Sequence, residues 1–166
     1  MSTTQPNRIL AVEIRAARLG YAIFEPPKSL KDFGGAWFPT PREARSRIAR
    51  LLRLYSPSVL VLPGARKRYP RDMRIRKAIA RIARDEARKI AIPAVRMPER
   101  EFNSFFQQYS CRDKYDVAAA VASKFPDISW RLPPRPKFYD PEPSAMLYFD
   151  SVALGVAYLE LTERNR

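Results

Sequence analysis

Two apolar runs near the N-terminus most restrict the fold that this chain can adopt. Residues 8–15 read RILAVEIR and residues 18–25 read RLGYAIFE, with only two residues between them. This short separation predicts an antiparallel hairpin. The nearly continuous apolar character of the first run also predicts a central strand that is buried on both faces of a sheet.

The rest of the chain alternates between predicted helices and strands. Further strands are predicted over residues 33–38, 58–62 and 93–97, and helices over residues 41–56, 73–90, 101–109, 114–125 and 144–162. In the second helix the predicted apolar stripe consists of Ile75, Ile79, Ile82 and Ile90. A proline-rich loop over residues 130–143 precedes the last helix.

This order predicts one α/β domain over residues 8–166, with a flexible tail at residues 1–7. Three strands in a meander followed by alternating helices and strands predict a mixed five-stranded sheet flanked by helices.

The charge balance favours a polyanionic partner. The 166 residues include 31 Lys and Arg against 17 Asp and Glu, a net charge of +14. Nucleic acid is the commonest such partner, although charge alone does not separate RNA from DNA. A basic surface kept for solubility is the alternative. A membrane surface is disfavoured, because no basic amphipathic helix carries an aromatic-rich face.

The composition excludes several kinds of site. The chain has no histidine and a single cysteine, Cys111, which excludes a Cys/His zinc site, a Ser-His-Asp triad and an intrachain disulfide. Any chemistry must therefore use carboxylates, Lys, Arg, Tyr or Ser. The polar N-terminus and the lack of a long apolar run lead us to expect a cytoplasmic protein.

Glu13 interrupts the first predicted strand. Strand periodicity places it on the same face as Ile9 and Ala11, where an uncompensated carboxylate would cost several kcal/mol. A metal or another cation would remove that cost. The alternative is a frayed strand end at which Glu13 pairs with Arg15 or Arg18.

Asp150 is the second carboxylate that is predicted to point inward. It lies on the same helical stripe as Leu154, Ala157 and Leu161, which must face the sheet. Glu142 and Asp140 lie just upstream and could cap the helix or extend a carboxylate cluster. Such a cluster suits Mg²⁺ or Mn²⁺ and metal-assisted phosphodiester cleavage.

Three segments resemble the RuvC-type Holliday junction resolvases of the RNase H-like superfamily. They are ILAVEIRAARLGYAIFE, SVLVLPG and the long segment from KYDVAAAVASKF to FDSVALGVAYL. The resemblance implies an RNase H-like fold and a metal-dependent endodeoxyribonuclease with Glu13, Glu142 and Asp150 as catalytic and metal-binding residues. It also implies a homodimer that acts on branched or duplex DNA in recombination or repair.

The chain departs from the family pattern at three positions. Glu13 stands where the family usually has aspartate, Pro63 stands where an acid ends the fourth strand, and Ala153 replaces a second acid of the last helix. The alternative interpretation is therefore a DNA-binding, RNA-binding or architectural protein that has kept the fold and lost the chemistry. Neither Asp140 nor Glu25 has a spacing that marks it as a replacement ligand.

Basic residues cluster where nucleic acid would approach this site. The predicted contacts are Arg15, Arg18, Arg66, Lys67, Arg68, Arg71, Lys114, Arg135 and Lys137. Aromatic residues in the proline-rich loop accompany them and could stack on exposed bases. Because nothing in the sequence indicates readout of specific bases, we expect recognition of shape.

Overall fold

The computed structural model describes residues 7–65 and 70–166 and, of residues 70 and 71, the backbone alone. Residues 1–6 of the predicted tail lie outside this description. The described elements are β1 (Ile9–Ile14), β2 (Arg18–Glu25), β3 (Ser29–Trp37), α1 (Pro41–Tyr55), β4 (Val59–Pro63), α2 (Pro70–Lys89), β5 (Ala94–Met97), α3 (Glu99–Gln107), α4 (Lys114–Lys124), α5 (Pro126–Ser129) and α6 (Met146–Arg164).

The described strands form one mixed sheet in the order β3-β2-β1-β4-β5. β1 pairs antiparallel with β2 and parallel with β4, and β4 pairs parallel with β5. A parallel pair requires a crossover connection, which α2 makes between β4 and β5. The predicted five-stranded α/β architecture is confirmed.

The central strand β1 is buried on both faces, as its apolar run predicts. Ile9 and Ala11 pack into the core that contains α6, whereas Leu10 and Val12 pack into the core that contains α1 and α2. The side of the sheet that faces α6 is therefore the side on which Glu13 lies.

Several predicted boundaries shift by a few residues. β3 begins at Ser29 rather than at residue 33, and α3 begins at Glu99, directly after Pro98. α6 begins at Met146 rather than at residue 144, because the preceding residues form a turn in which the Met146 amide donates to the Pro143 carbonyl.

The predicted stripe of α2 was partly wrong. Ile75 is 42% exposed, and Ile90 is 46% exposed and lies just beyond Lys89, the last residue of α2. The buried apolar side chains of this helix are Ile79, Ala80, Ala83 and Ala87. The packed face consists largely of alanines, which are less hydrophobic than isoleucine. The isoleucines therefore dominate the sequence pattern, and the predicted stripe is displaced from the face that is buried.

α6 packs closely on the sheet because two glycines leave room for it. A Cβ atom at Gly20 of β2 would lie 2.8 Å from Leu147 Cγ and 2.9 Å from the Leu147 carbonyl oxygen. At Gly155 of α6, a Cβ atom would lie 2.8 Å from Phe24 Cδ2. These close approaches bring the part of α6 that carries Asp150 over β1.

None of the helices in the described part of the chain is long and apolar enough to cross a membrane.

Candidate functional site

Glu13 lies in the sheet beneath α6 and is completely buried. It remains within β1, where it pairs with Gly20 of β2, so the strand does not fray at this position. The Ile14 amide donates a hydrogen bond of 3.3 Å to Glu13 Oε1. The inward orientation predicted from the strand pattern is confirmed.

Asp150 approaches from the opposite side of the same core. It lies in α6 and is 5% exposed, as its place on the apolar stripe predicts. Ser151, the next residue, is buried above Gly20, and its hydroxyl donates to the Leu147 carbonyl oxygen at 2.8 Å. The close contact of α6 with β2 thus sets the position of Asp150 relative to β1.

Arg15 contacts all three predicted catalytic acids. Its Nη1 lies 3.7 Å from Glu13 Oε1, and its Nη2 lies 3.6 Å from Glu142 Oε2. Nη2 also donates a hydrogen bond to Asp150 Oδ2. The alternative of a frayed strand end at which Glu13 pairs with Arg15 or Arg18 is therefore met only in part: Glu13 contacts Arg15, but the strand is intact.

Lys114 supplies a second cation to the same cluster. It is the first residue of α4, and its Nζ lies 3.1 Å from Asp150 Oδ2. The same ammonium group donates to Glu142 Oε1. Among the described residues, three carboxylates and two cations therefore form one network, which we call the acid–cation cluster: Glu13, Glu142, Asp150, Arg15 and Lys114.

The guanidinium of Arg15 is held in its charged form by this cluster. Burial alone lowers the pKa of Arg15, but the carboxylates of Asp150, Glu13 and Glu142 outweigh burial and raise the pKa above its usual value. The side chain of Arg15 is only 16% exposed. Its positive charge is therefore a permanent part of the site.

The acid–cation cluster does not fit a divalent metal ion as it stands. Within the residues that the structure describes, no group of three or more Asp, Glu, Cys or His side chains is arranged to hold one. Pro63 ends β4 and offers no side-chain ligand, and Ala153 is buried without a polar atom in its side chain. A metal ion would have to displace Arg15 from the carboxylates.

The two other acids considered as replacements lie elsewhere. Glu25 is at the opposite end of β2 from Gly20 and accepts a hydrogen bond of 2.9 Å from Arg8 Nε. Asp140 accepts a hydrogen bond of 2.9 Å from the Lys137 amide, within its own loop. Neither of these contacts joins the acid–cation cluster.

The predicted nucleic-acid contacts fall into three groups. Arg15 and Lys114 belong to the acid–cation cluster. The second group lies beside aromatic rings. Arg135 is paired with Asp113 and Asp116, and its guanidinium lies 4.5 Å from the centre of the Tyr115 ring. Arg18 lies over the ring of Trp37, and Lys137 lies over the ring of Tyr139. Arg66, Lys67 and Arg68 lie outside the described residues, as does the side chain of Arg71. The roles of all nine predicted residues in nucleic-acid binding remain predictions.

Sequence reasoning identified the acids of the site but did not assign Arg15 its central place. The available signal was its spacing, since a residue two positions after Glu13 continues toward the same face of an extended chain. For Lys114 the signals were its position at the start of a helix and its place in the long segment that resembles the resolvases, and neither predicts its contact with Asp150.

Comparison with solved structures identifies the fold. RuvC of Thermus thermophilus in complex with a Holliday junction substrate has a TM-score of 0.69 and 11% identity, over 95% of each chain. The yeast mitochondrial Holliday junction resolvase has a TM-score of 0.66 and 11% identity, over 98% of this chain and 82% of that one. Fowlpox virus resolvase with Holliday junction DNA has a TM-score of 0.53 and 18% identity, over 93% and 98%.

No protein-family model matches the chain, and comparison with curated proteins finds no match. The structural similarities extend over almost the whole chain at low identity, so they show a shared fold. The predicted RuvC-like, RNase H-like fold is confirmed.

Proposed function

We propose that this RuvC-fold protein binds branched or duplex DNA through a basic surface and does not cut it. The observation that carries the proposal is the position of Arg15, whose guanidinium lies among the carboxylates of Glu13, Glu142 and Asp150. An internal cation thereby takes the place that a metal ion would need.

Charge and fold support nucleic acid as the partner. A net charge of +14 attracts a polyanion, and contacts of Lys and Arg with phosphates provide affinity that does not depend on sequence. Two of the structurally similar proteins were solved with Holliday junctions. Branched DNA is accordingly the first ligand to test, with RNA as the comparison.

The same cluster argues against hydrolysis. Metal-assisted cleavage of a phosphodiester requires carboxylates that are available to bind metal ions. Asp150 is engaged by both Arg15 and Lys114, and the buried Glu13 contacts Arg15. Replacing this partly buried cation by a metal would leave the guanidinium without its partners, which is unfavourable.

A metal-dependent endonuclease is the second candidate. It is favoured by the convergence of the three predicted acids and by the side chain of Glu142, which is 42% exposed and accessible from solvent. Homodimerisation, which symmetric cleavage of a junction would require, remains a prediction.

One assay separates the two candidates. A labelled four-way DNA junction and a linear duplex of equal length are incubated with the protein and Mg²⁺ or Mn²⁺, beside the Asp150→Asn variant. We expect tight binding that weakens with salt, and no cleavage with either metal. Junction cleavage that Asp150→Asn abolishes would establish the endonuclease instead.

A further inference from the structure

Trp37 is an exposed aromatic residue beside the acid–cation cluster. It is the last residue of β3, pairs with Arg18 of β2 and is 65% exposed. The guanidinium carbon of Arg18 lies 5.3 Å from the centre of the indole ring. Arg18 Nη1 reaches the Ser144 carbonyl oxygen at 3.4 Å, which ties the pair to the segment that precedes α6.

The strand register places Trp37 on the same side of the sheet as Glu13. Phe33, Gly35 and Trp37 alternate along β3 toward one face, and the space above Gly35 is bounded by Tyr148 and Leu147 of α6. Gly20 of β2 pairs with Glu13 of β1 on one side and with Gly35 of β3 on the other. Trp37 therefore lies two strands away from Glu13 and two residues farther along its own strand. Strand spacing and rise put the two Cα atoms about 12 Å apart.

The other tryptophan, Trp130, has a different environment. Its indole N–H donates to the Asp127 carbonyl oxygen at 3.0 Å, and its ring lies 4.5 Å from the guanidinium of Arg131. Arg131 in turn lies 4.8 Å from the Tyr148 ring, so Trp130 belongs to a packed cluster of side chains. Trp130 is 72% exposed and belongs to the loop whose aromatic residues could also stack on bases, so it is the comparison for Trp37.

We infer that Trp37 and Arg18 form a stacking platform for an unpaired nucleobase, an inference that rests on the proposed function. A flat indole can stack on any base, provided that the base has left the double helix. Bases within intact duplex are stacked on their neighbours and cannot present a free face to Trp37. The platform therefore favours DNA in which a base is unpaired, as in a bulge, or has lost a stacking neighbour, as at an opened branch point, and Arg18 adds a positive charge for the adjacent phosphate.

The chain has two tryptophans, so replacing one of them leaves the fluorescence of the other as a direct probe of its surroundings. In Trp130→Phe the emission reports on Trp37, and in Trp37→Phe it reports on Trp130. Each variant is titrated with a perfect duplex, with the same duplex carrying one bulged base, and with a four-way junction. We expect Trp37 to be quenched by the bulged and branched DNA well beyond the perfect duplex, and Trp130 to show no such difference.

Affinity gives the second readout. Trp37→Ala should weaken binding to bulged and branched DNA about tenfold and leave binding to perfect duplex within about twofold. Trp130→Ala tests the alternative that the loop aromatics provide the stacking surface: a loss of the preference in Trp130→Ala and not in Trp37→Ala would overturn the inference.

Three further results would overturn the inference. One is an equal loss of affinity for all three DNAs in Trp37→Ala. Another is quenching of Trp37 that does not depend on unpaired bases. The third is a concentration-dependent blue shift of Trp37 emission without DNA, which would assign this surface to a second copy of the chain. If the wild-type protein binds none of the DNAs, the proposed function fails as well, whereas binding without a role for Trp37 refutes the platform alone.

Discussion

Arg15 and Asp150 form a hydrogen-bonded ion pair although they are 135 positions apart in the chain. Arg15 lies directly after β1, in the turn of the first hairpin, and Asp150 lies in the first part of α6. The pair therefore fixes the final helix to the turn of the hairpin, at the point where a nucleolytic site would need open carboxylates.

Removal of the Arg15 charge should destabilise the fold. Arg15→Met keeps a long side chain but leaves Glu13 and Asp150 with less compensation in a buried setting. We expect a loss of about 2–3 kcal/mol in the free energy of unfolding at neutral pH, below the full cost of breaking a buried pair because Lys114 remains. Urea unfolding of the variant and the wild type measures this loss.

Lys114→Met is the matched control for that variant, because the side chain of Lys114 is 29% exposed and that of Arg15 only 16%. Lys114→Met should lower the free energy of unfolding by less than Arg15→Met does. Equal stability of Arg15→Met and wild type at neutral pH would contradict the structural role of the pair.

Gly20→Ala should displace α6 from the sheet. The added Cβ would meet the Leu147 carbonyl oxygen at 2.9 Å, a backbone atom that cannot move without the helix. We expect a loss of stability of about 1–3 kcal/mol, measured by thermal and urea unfolding. Gly35→Ala is the milder comparison, since its nearest neighbour is the Tyr148 ring at 3.1 Å; a larger loss in Gly35→Ala would refute the close approach at Gly20.

Glu160 should make stability depend on pH. Burial alone raises the pKa of Glu160, but the ammonium group of Lys124, the Tyr109 hydroxyl and Lys28 outweigh burial and lower it below the usual value. A carboxyl with a lowered pKa in the folded state stabilises the fold above its unfolded pKa. That contribution disappears as the pH falls through the folded pKa.

Glu160→Gln is therefore expected to lose about 1–2 kcal/mol of unfolding free energy at neutral pH, with the difference from wild type vanishing in acid. Urea unfolding across the pH range tests this. Glu163→Gln is the control, because its side chain is 49% exposed and its ion pair with Lys28 contributes little. A deficit of Glu160→Gln that persists unchanged in acid would contradict the assignment.

The salt dependence of DNA binding should distinguish two of the predicted phosphate contacts. Arg18 lies beside Trp37, whereas Arg135 is already paired with Asp113 and Asp116. We expect Arg18→Ala to reduce the slope of log K against log salt by about one, as for the loss of one phosphate contact, and Arg135→Ala to leave the slope unchanged. Titrations at several salt concentrations give both slopes, and the reverse ranking would refute the assignment.

Sequence reasoning predicted the fold well because its signals are local and periodic. Alternation along residues 8–15 places Glu13 on a definite face, and helical spacing places Asp150 on the face of Leu154. The order of strands and helices then restricts the sheet to few topologies. These patterns do not depend on which distant side chains meet.

The candidate site was less predictable because its character depends on contacts between distant segments. Lys114 reaches Asp150 from a different helix, and the approach of α6 that permits this depends on Gly20 in β2. Composition indicates many cations but not which of them point inward. The sequence therefore predicted an acidic cluster, but it did not predict that Arg15 and Lys114 compensate the negative charge of that cluster.

A Mn²⁺ titration shows whether Arg15 occupies the place of a metal ion among the three carboxylates. Electron paramagnetic resonance of free Mn²⁺ is followed as it is added to the full chain, with Asp150→Asn as the control. Wild type and Asp150→Asn are expected to leave the same free Mn²⁺ signal, because the carboxylates are already paired with Arg15 and Lys114. Binding of one or two Mn²⁺ ions per chain that is lost in Asp150→Asn would contradict this expectation.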